Sequence, residues 1–368
     1  MRTRGRELAL GALCGTVIAI ATPAVADAVA WGLPVLGLGG GSTGTTQLGP
    51  DTTALPASPP LFGANSWRNR RLPNTEPIDR HSAGYVAELR REVRTYGAWV
   101  NASRSSIPIY VAGPRTPARA VQIDRPWNPK TPPRAVDRDL AAQWSSVPLP
   151  AGVQPAAGSD AALVVYQPAT DTAWEFWRFR YDLLGNPHAR YGGRIRDVSR
   201  DPGYYRDPPG GPGRRFGATS TSIPMLAGIQ RIRELQAGSI DHAVEFSAPG
   251  WKQDFFRWPA QRTDVNPAHV PPAHPLPEGI RFRLPPRLDL DALGLPPYTR
   301  MLAKAVQRYG MVMDNAGAVV TFGAEAPRPD EPDPYRGPAG IFGGQRPNQL
   351  LASFPWDRLQ AIANTGRP

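Results

Sequence analysis

Residues Gly238–Asp264 read G-S-I-D-H-A-V-E-F-S-A-P-G-W-K-Q-D-F-F-R-W-P-A-Q-R-T-D, and the fold class turns on them. The first half alternates, with Ile240, His242, Val244 and Phe246 on one face and Asp241 and Glu245 on the other. That period of two is the signature of a half-buried strand. Pro249–Gly250 break the run. Asp254–Ala260 then predicts a second strand, ended by Pro259, which has no amide hydrogen to give a ladder. An imidazole among apolar neighbours is ordinarily a satisfied core group, yet it is also the side chain best suited to proton transfer near neutral pH. His242 is therefore one site candidate. Trp258 and Arg262 are two more, at the junction of strand and loop.

Moving outward toward the C-terminus, Gly279–Leu284 predicts a strand with Ile280, Phe282 and Leu284 inward and Arg281 and Arg283 outward. Pro296–Pro297 opens a helix whose stripe is Met301, Leu302, Ala305, Val306 and Tyr309, stopped by Gly310. Met311–Asp314 and Ala318–Phe322 flank Asn315-Ala316-Gly317 and predict a hairpin. Toward the N-terminus, Ile223–Leu235 predicts a helix ended by Gly238. Arg190–Val198 predicts a strand bearing Arg194 and Asp197. Ala161–Gln167 and Ala173–Tyr181 predict a hairpin. Alternation in its second strand sets Glu175, Trp177, Phe179 and Tyr181 on one face. A helix is expected over Tyr85–Val100, short strands over Ile107–Ala112 and Ala120–Ile123, and a surface excursion over Trp127–Gly158.

Arg2, Arg4 and Arg6, an apolar stretch Leu8–Ala21 and Ala24-Val25-Ala26 have the order of a secretion signal with its cleavage site. The chain is therefore expected to be secreted and, after cleavage, free of the membrane. Cys14, the single cysteine, lies inside that segment, so the mature chain is cysteine-free, without disulfides or thiolate metal sites. The formal net charge of +11 comes almost entirely from Arg and is compatible with an anionic partner. No recognition helix, zinc module or RNP-like strand accompanies it, which excludes a nucleic-acid reading. Gly39-x-Gly41-x-x-Gly44 has neither a strand before it nor a helix after it and follows from composition. His269 and His274 lack ligand spacing, so neither metal nor cofactor is expected. The segments expected are a signal peptide over 1–26, a Gly/Ser/Thr/Pro-rich linker over 27–64, a β domain over 65–325, and a Pro-rich linker with a C-terminal segment packing back over 326–368.

Three segments, W-P-A-Q-R-T-D (Trp258–Asp264), P-E-G-I-R-F-R-L (Pro277–Leu284) and Q-R-Y-G-M-V-M-D-N (Gln307–Asn315), resemble a family of secreted bacterial proteins without an assigned activity. The resemblance runs over about Trp67–Phe322 and includes Asp241–His242. It implies a jelly-roll or lectin-like β-sandwich, which the strand reading supports independently: a mainly β fold with two or three peripheral helices. It brings no reaction with it.

A carboxylate among aromatic rings on a sheet face suits a sugar, since rings stack on pyranose C–H surfaces and the carboxylate handles hydroxyls or a proton. The first expectation is a polysaccharide-cleaving enzyme acting on an extracellular or cell-wall glycan, with an anionic glycan compatible with the basic charge. As a hydrolase it would use Glu175 and Asp197. As a lyase it would use His242 or Tyr309 as base and Arg194 or Arg262 to hold the uronate, with Trp177 and Trp258 as stacking surfaces. The second expectation is a non-catalytic, monomeric carbohydrate-binding protein using the same aromatic face.

Overall fold

The structure, a computed structural model, describes residues 61–103, 105–124, 135–205, 216–249, 255–263, 275–329 and 331–363. The expected signal peptide, nearly all of the linker after it, Asp264, His269 and His274 lie outside the described residues. In chain order come α1 (Ser82–Tyr96), β1 (Ala98–Asn101), β2 (Ile109–Val111), β3 (Ala118–Arg119) and β4 (Gln122–Ile123). Next are α2 (Ala135–Gln143), β5 (Val147–Pro148), β6 (Leu163–Gln167), β7 (Thr172–Trp177), β8 (Arg180–Tyr181), β9 (Pro187–Ala189) and β10 (Tyr191–Arg196). Then follow α3 (Met225–Gly228), α4 (Ile232–Ala237), β11 (Val244–Ala248), β12 (Arg281–Arg283), α5 (Pro297–Arg308), β13 (Met311–Ala316), β14 (Val320–Gly323) and β15 (Gln360–Ala361).

The fold is β-rich, with several sheets. A six-stranded sheet has the order β1-β14-β11-β13-β12-β15 and a four-stranded sheet the order β10-β7-β6-β2. Pairing is mixed: β1/β14, β11/β13 and β2/β6 run parallel, while β11/β14, β12/β13, β6/β7 and β7/β10 run antiparallel.

Alternation decides what each face of the large sheet meets. Val100, Val244, Phe246, Phe282, Met311, Met313, Val320 and Phe322 join one apolar core with Leu89 of α1, Leu302 and Val306 of α5, and Leu350, Phe354 and Trp356 of the C-terminal segment. Each such side chain contributes roughly 1.5–3 kcal/mol on burial. The opposite face carries Asn101, Glu245, Ser247, Val312, Asp314, Asn315 and Thr321. Of these Val312 belongs to the second core, built on β6, β7, α2 and α3.

Several sequence expectations are corrected. β13 and β14 do not form a hairpin, because β11 lies between them and residues 317–319 cross over its end, where the Gly317 amide donates to the Ala248 carbonyl at 2.8 Å. Residues 255–260 form no strand. The helix expected over 223–235 is two short helices. Between them Gln230 leaves helical geometry to pair with the end of β14, its amide donating to Gly323 O at 3.2 Å and its carbonyl accepting from Glu325 N at 2.8 Å. Arg281 and Arg283 point into the protein and not outward: Arg281 donates to the Tyr309 carbonyl and Arg283 to those of Pro73 and Asn74. The excursion expected over 127–158 contains α2, whose Leu140, with Trp144 just beyond it, is fully buried. In β7 the alternation stops at Trp177. Arg178 is left-handed (φ 56°), so Phe179 turns back to join Phe176, with ring centroids 5.4 Å apart.

Two glycines test this backbone. Gly279 has φ 81°, and a Cβ there would lie 1.7 Å from the Arg257 carbonyl oxygen. Gly238, which ends α4 with φ 79°, faces open space. Gly279→Ala is expected to destabilise the fold by about 3 kcal/mol or more and Gly238→Ala by about 1 kcal/mol, read from urea unfolding midpoints at constant slope. Equal costs would contradict the close approach of Gly279 to Arg257.

Candidate functional site

A cavity of about 630 Å³ opens between the polar face of the large sheet and one end of the small one. Its wall includes Asn101, Glu245, Ser247, Asp314, Asn315 and Thr321 from the large sheet, Trp177 and Tyr191 from the small sheet, and Thr219, Ser220 and Arg262 from loops.

The large sheet presents two carboxyls on this wall, and a local irregularity sets an amide beside them. Glu245 pairs with Val312 and Phe246 with Met313, but Ser247 pairs with Asn315, leaving Asp314 as the extra residue of a β-bulge. A bulge re-aims side chains. Here it lets two consecutive residues, Asp314 and Asn315, both face the cavity, and Asn315 Nδ2 donates to Asp314 Oδ2 at 3.1 Å. Glu245 has its own slot: a Cβ on Gly228 would lie 2.5 Å from Glu245 Cβ, and one on Gly323 2.7 Å from its Oε1. Glu245 Oε2 is buried with no hydrogen-bond partner. Beside the pair, the Ser220 hydroxyl lies 2.6 Å from Glu278 Oε1 and 2.9 Å from Asn315 Oδ1. The Ala316 amide donates to the same Glu278 oxygen at 2.8 Å.

Burial dominates the electrostatics. It raises the Glu245 carboxyl well above the usual range, and the neighbouring Asp314 and Glu175 charges add to that rise. It pushes Asp314 up to about 7, with Glu278 adding to the rise and Asn315 opposing it. Two interacting carboxyls on one poorly solvated wall do not both ionise readily, so the pair retains a proton near neutrality.

Of the residues expected from sequence, Trp177 and Arg262 reach this cavity. Glu175 is fully buried behind it. Its Oε2 accepts from the Tyr205 hydroxyl and the Met225 amide, both at 3.0 Å, and its Oε1 from the Leu226 amide at 2.8 Å. Burial pushes it up to about 7 against those three donors. Glu175 therefore fastens α3 to β7, and substitution there perturbs packing before any chemistry. Asp197 is exposed at a left-handed turn (φ 53°) after β10, away from the cavity wall. His242 is buried: Nδ1 donates to the Ala243 carbonyl at 2.7 Å and Nε2 lies 3.1 Å from Glu234 Oε2. Tyr309 sits in the core, its hydroxyl accepting from Arg71 Nε at 3.2 Å. Arg194 does not line the cavity, and its backbone amide donates to Gln143 Oε1 at 2.9 Å. Trp258 is half-buried edge-on to Tyr204, with centroids 6.5 Å apart, and does not line the cavity. Arg262 does line it, but donates to the carbonyls of Gly217, Thr219 and Ser220 and lies over the Tyr191 ring.

Sequence reasoning missed Glu245, Glu278, Asp314 and Asn315. Glu278 lies in Pro277–Leu284 and Asp314 and Asn315 in Gln307–Asn315, and Glu245 stood in plain sight on the polar side of its strand. Among the described residues no three His, Cys, Asp or Glu side chains gather to hold a metal ion, and no helix is long and apolar enough to cross a membrane. No known family, curated protein or solved structure matches the chain.

Stability should report the buried carboxyls directly. A carboxyl held above its unfolded value supports the fold while protonated. Its contribution is complete below about pH 4 and is lost as pH rises through the folded value, about 7 for Asp314. Asp314→Asn and Glu245→Gln are therefore expected to raise the melting temperature more at pH 8 than at pH 5. For Asp314→Asn the gain between the two pH values should be about 5 °C, reflecting on the order of 2–3 kcal/mol. Calorimetry that found variant and wild-type curves parallel from pH 5 to pH 8 would contradict the burial of these groups.

Proposed function

We propose that the protein is a secreted carbohydrate-active protein, and that its cavity cleaves a glycosidic bond with Glu245 and Asp314 as the acid–base pair. The observation that carries this reading is the placement of two carboxyls together on the wall of a cavity whose small-sheet side presents the Trp177 ring. A hydrolase needs one carboxyl that gives a proton to the leaving oxygen and a second, ionised one on the other side of the sugar. A pair in which one carboxyl stays protonated and the other ionises near neutrality supplies both states. Ser220, Asn315, Thr321 and Asn101 offer hydroxyl and amide groups to sugar hydroxyls. The lyase version has less support. His242, Tyr309 and Arg194 are placed elsewhere, and the Arg262 guanidinium is engaged by backbone carbonyls.

Export is supported by the order of charge, apolar stretch and small residues over 1–26. A two-layer reading, of which the jelly-roll or lectin-like sandwich is one version, is supported by a cavity walled from both main sheets. The parallel strand pairs favour a different version from the jelly roll. The protein is taken to work as a monomer.

The second reading, a glycan-binding protein, uses the same wall without turnover and is favoured by the depth at which Glu245 is buried. Incubation with polysaccharides and reducing-end-labelled oligosaccharides separates the two. For an enzyme, Glu245→Gln and Asp314→Asn lower turnover by about 10²–10⁴-fold with little change in sugar affinity. For a binder, no products form, and Trp177→Ala is the variant that loses affinity. A wild-type protein that neither binds nor cleaves any of them ends the carbohydrate reading.

A further inference from the structure

The polar face of the large sheet continues beyond the cavity. In register, Trp99 of β1 pairs with Thr321 of β14, Thr321 with Ser247 of β11, and Ser247 with Asn315 of β13. Paired residues project to the same side of a sheet, so these four side chains form one row across four adjacent strands. Three of them line the cavity. Trp99, at the far end, is 39% exposed. With strands about 4.8 Å apart, the row spans about 14 Å. The neighbouring row on the same face begins at Asn101, passes Gly323 and leads to Glu245.

Trp99 is exposed for a reason that packing does not supply. Its strand neighbours Ala98 and Val100 are buried in the apolar core on the opposite face. The Val100 amide is bonded to the Pro347 carbonyl at 3.2 Å, which covers that edge of the sheet. The ring therefore lies on a firmly held strand and is partly open to solvent. A solvent-facing indole continuous with a row of hydroxyl and amide side chains is suited to a sugar ring, which presents C–H groups to the aromatic face and hydroxyls to the polar groups beside it.

We propose that Trp99 is an outer subsite and that the Trp99–Thr321–Ser247–Asn315 row carries an oligosaccharide into the cavity, so that the ligand is a glycan chain of at least three rings. This rests on the carbohydrate reading of the cavity and specifies the ligand: a polymer or long oligomer, gripped away from the carboxyl pair as well as at it. Trp99 is a binding residue with no part in the bond-making steps.

The test is calorimetric titration of oligomers of one to six rings from β-1,4-linked glucose, β-1,4-linked N-acetylglucosamine and a uronate series, against wild type, Trp99→Ala and Trp99→Phe. Glu245→Gln is used as background if the oligomers are cleaved. The expected result is affinity that rises beyond two rings, a gain of about five- to tenfold that Trp99→Ala removes and Trp99→Phe largely restores. Short oligomers should bind all three proteins alike. Affinity that stays flat with length, or long-oligomer binding that Trp99→Ala leaves unchanged, overturns the subsite while the cavity reading stands. Binding of no oligomer to the wild type overturns both.

Discussion

The constraint on which the architecture depends is that the six-stranded sheet has two different faces and both are covered. One face is closed with hydrocarbon from α1, α5 and the C-terminal segment, and its side chains are as dry as those of any core. The other carries Glu245 and Asp314 under a second layer. Burying a carboxyl costs several kcal/mol unless it is protonated or well partnered. A fold that only needed to close its second face would use Val or Leu there, as β13 does at Val312. Retaining two carboxyls at this place is a stability sacrifice of the kind associated with chemistry or recognition.

Much of the surrounding polar machinery serves to hold the second layer in place. Glu175 uses both oxygens to tie α3 to β7, and Arg262 binds three carbonyls of the loop that carries Ser220. Arg68, Glu234 and His242 form another buried network, in which Glu234 is drawn down to about 2, its His242 and Arg68 partners outweighing its burial. These groups have the residue types of a catalytic site. Glu175, Glu234, His242 and Arg262 already have hydrogen bonds within the protein, and a ligand would have to displace them. Glu245 Oε2, like Arg68 Nε, is buried without a hydrogen-bond partner, and of these two residues Glu245 lines the cavity.

This difference explains what the sequence disclosed. Local alternation is carried by the chain itself, so the β6–β7 hairpin, β11, α5 and the termination of α4 at Gly238 could be read directly. The pairing of β13 with β11 in place of β14 is a contact between residues some seventy apart, and the three-residue loop after β13 looks the same whether it turns back or steps over a strand. The side of β11 holding Glu245 read as solvent because polar residues on one face of a strand normally meet water. Only the second layer, assembled from β7, α3 and the 216–223 loop, makes that face an interior. The bulge at Asp314 leaves no mark in M-V-M-D-N. Trp177 was identified because its position follows from β7 alone.

The same reasoning revises the meaning of the basic charge. Lysine is scarce and arginine abundant, a balance that suggests guanidinium forks aimed at an anionic ligand. In the structure the buried forks serve other groups. Arg257 meets Asp79 and the Ile362 carbonyl, Arg281 the Tyr309 carbonyl, Arg283 those of Pro73 and Asn74, and Arg231 meets Glu325. One arginine can cross-link several backbone carbonyls because its five donors are fixed in a plane, which a lysine ammonium does not match. In a chain whose single cysteine is Cys14, such cross-links tie irregular, proline-rich segments to the sheets. The cavity wall contains more carboxyl than unengaged guanidinium, so the positive charge of the whole chain is no argument for an anionic ligand there.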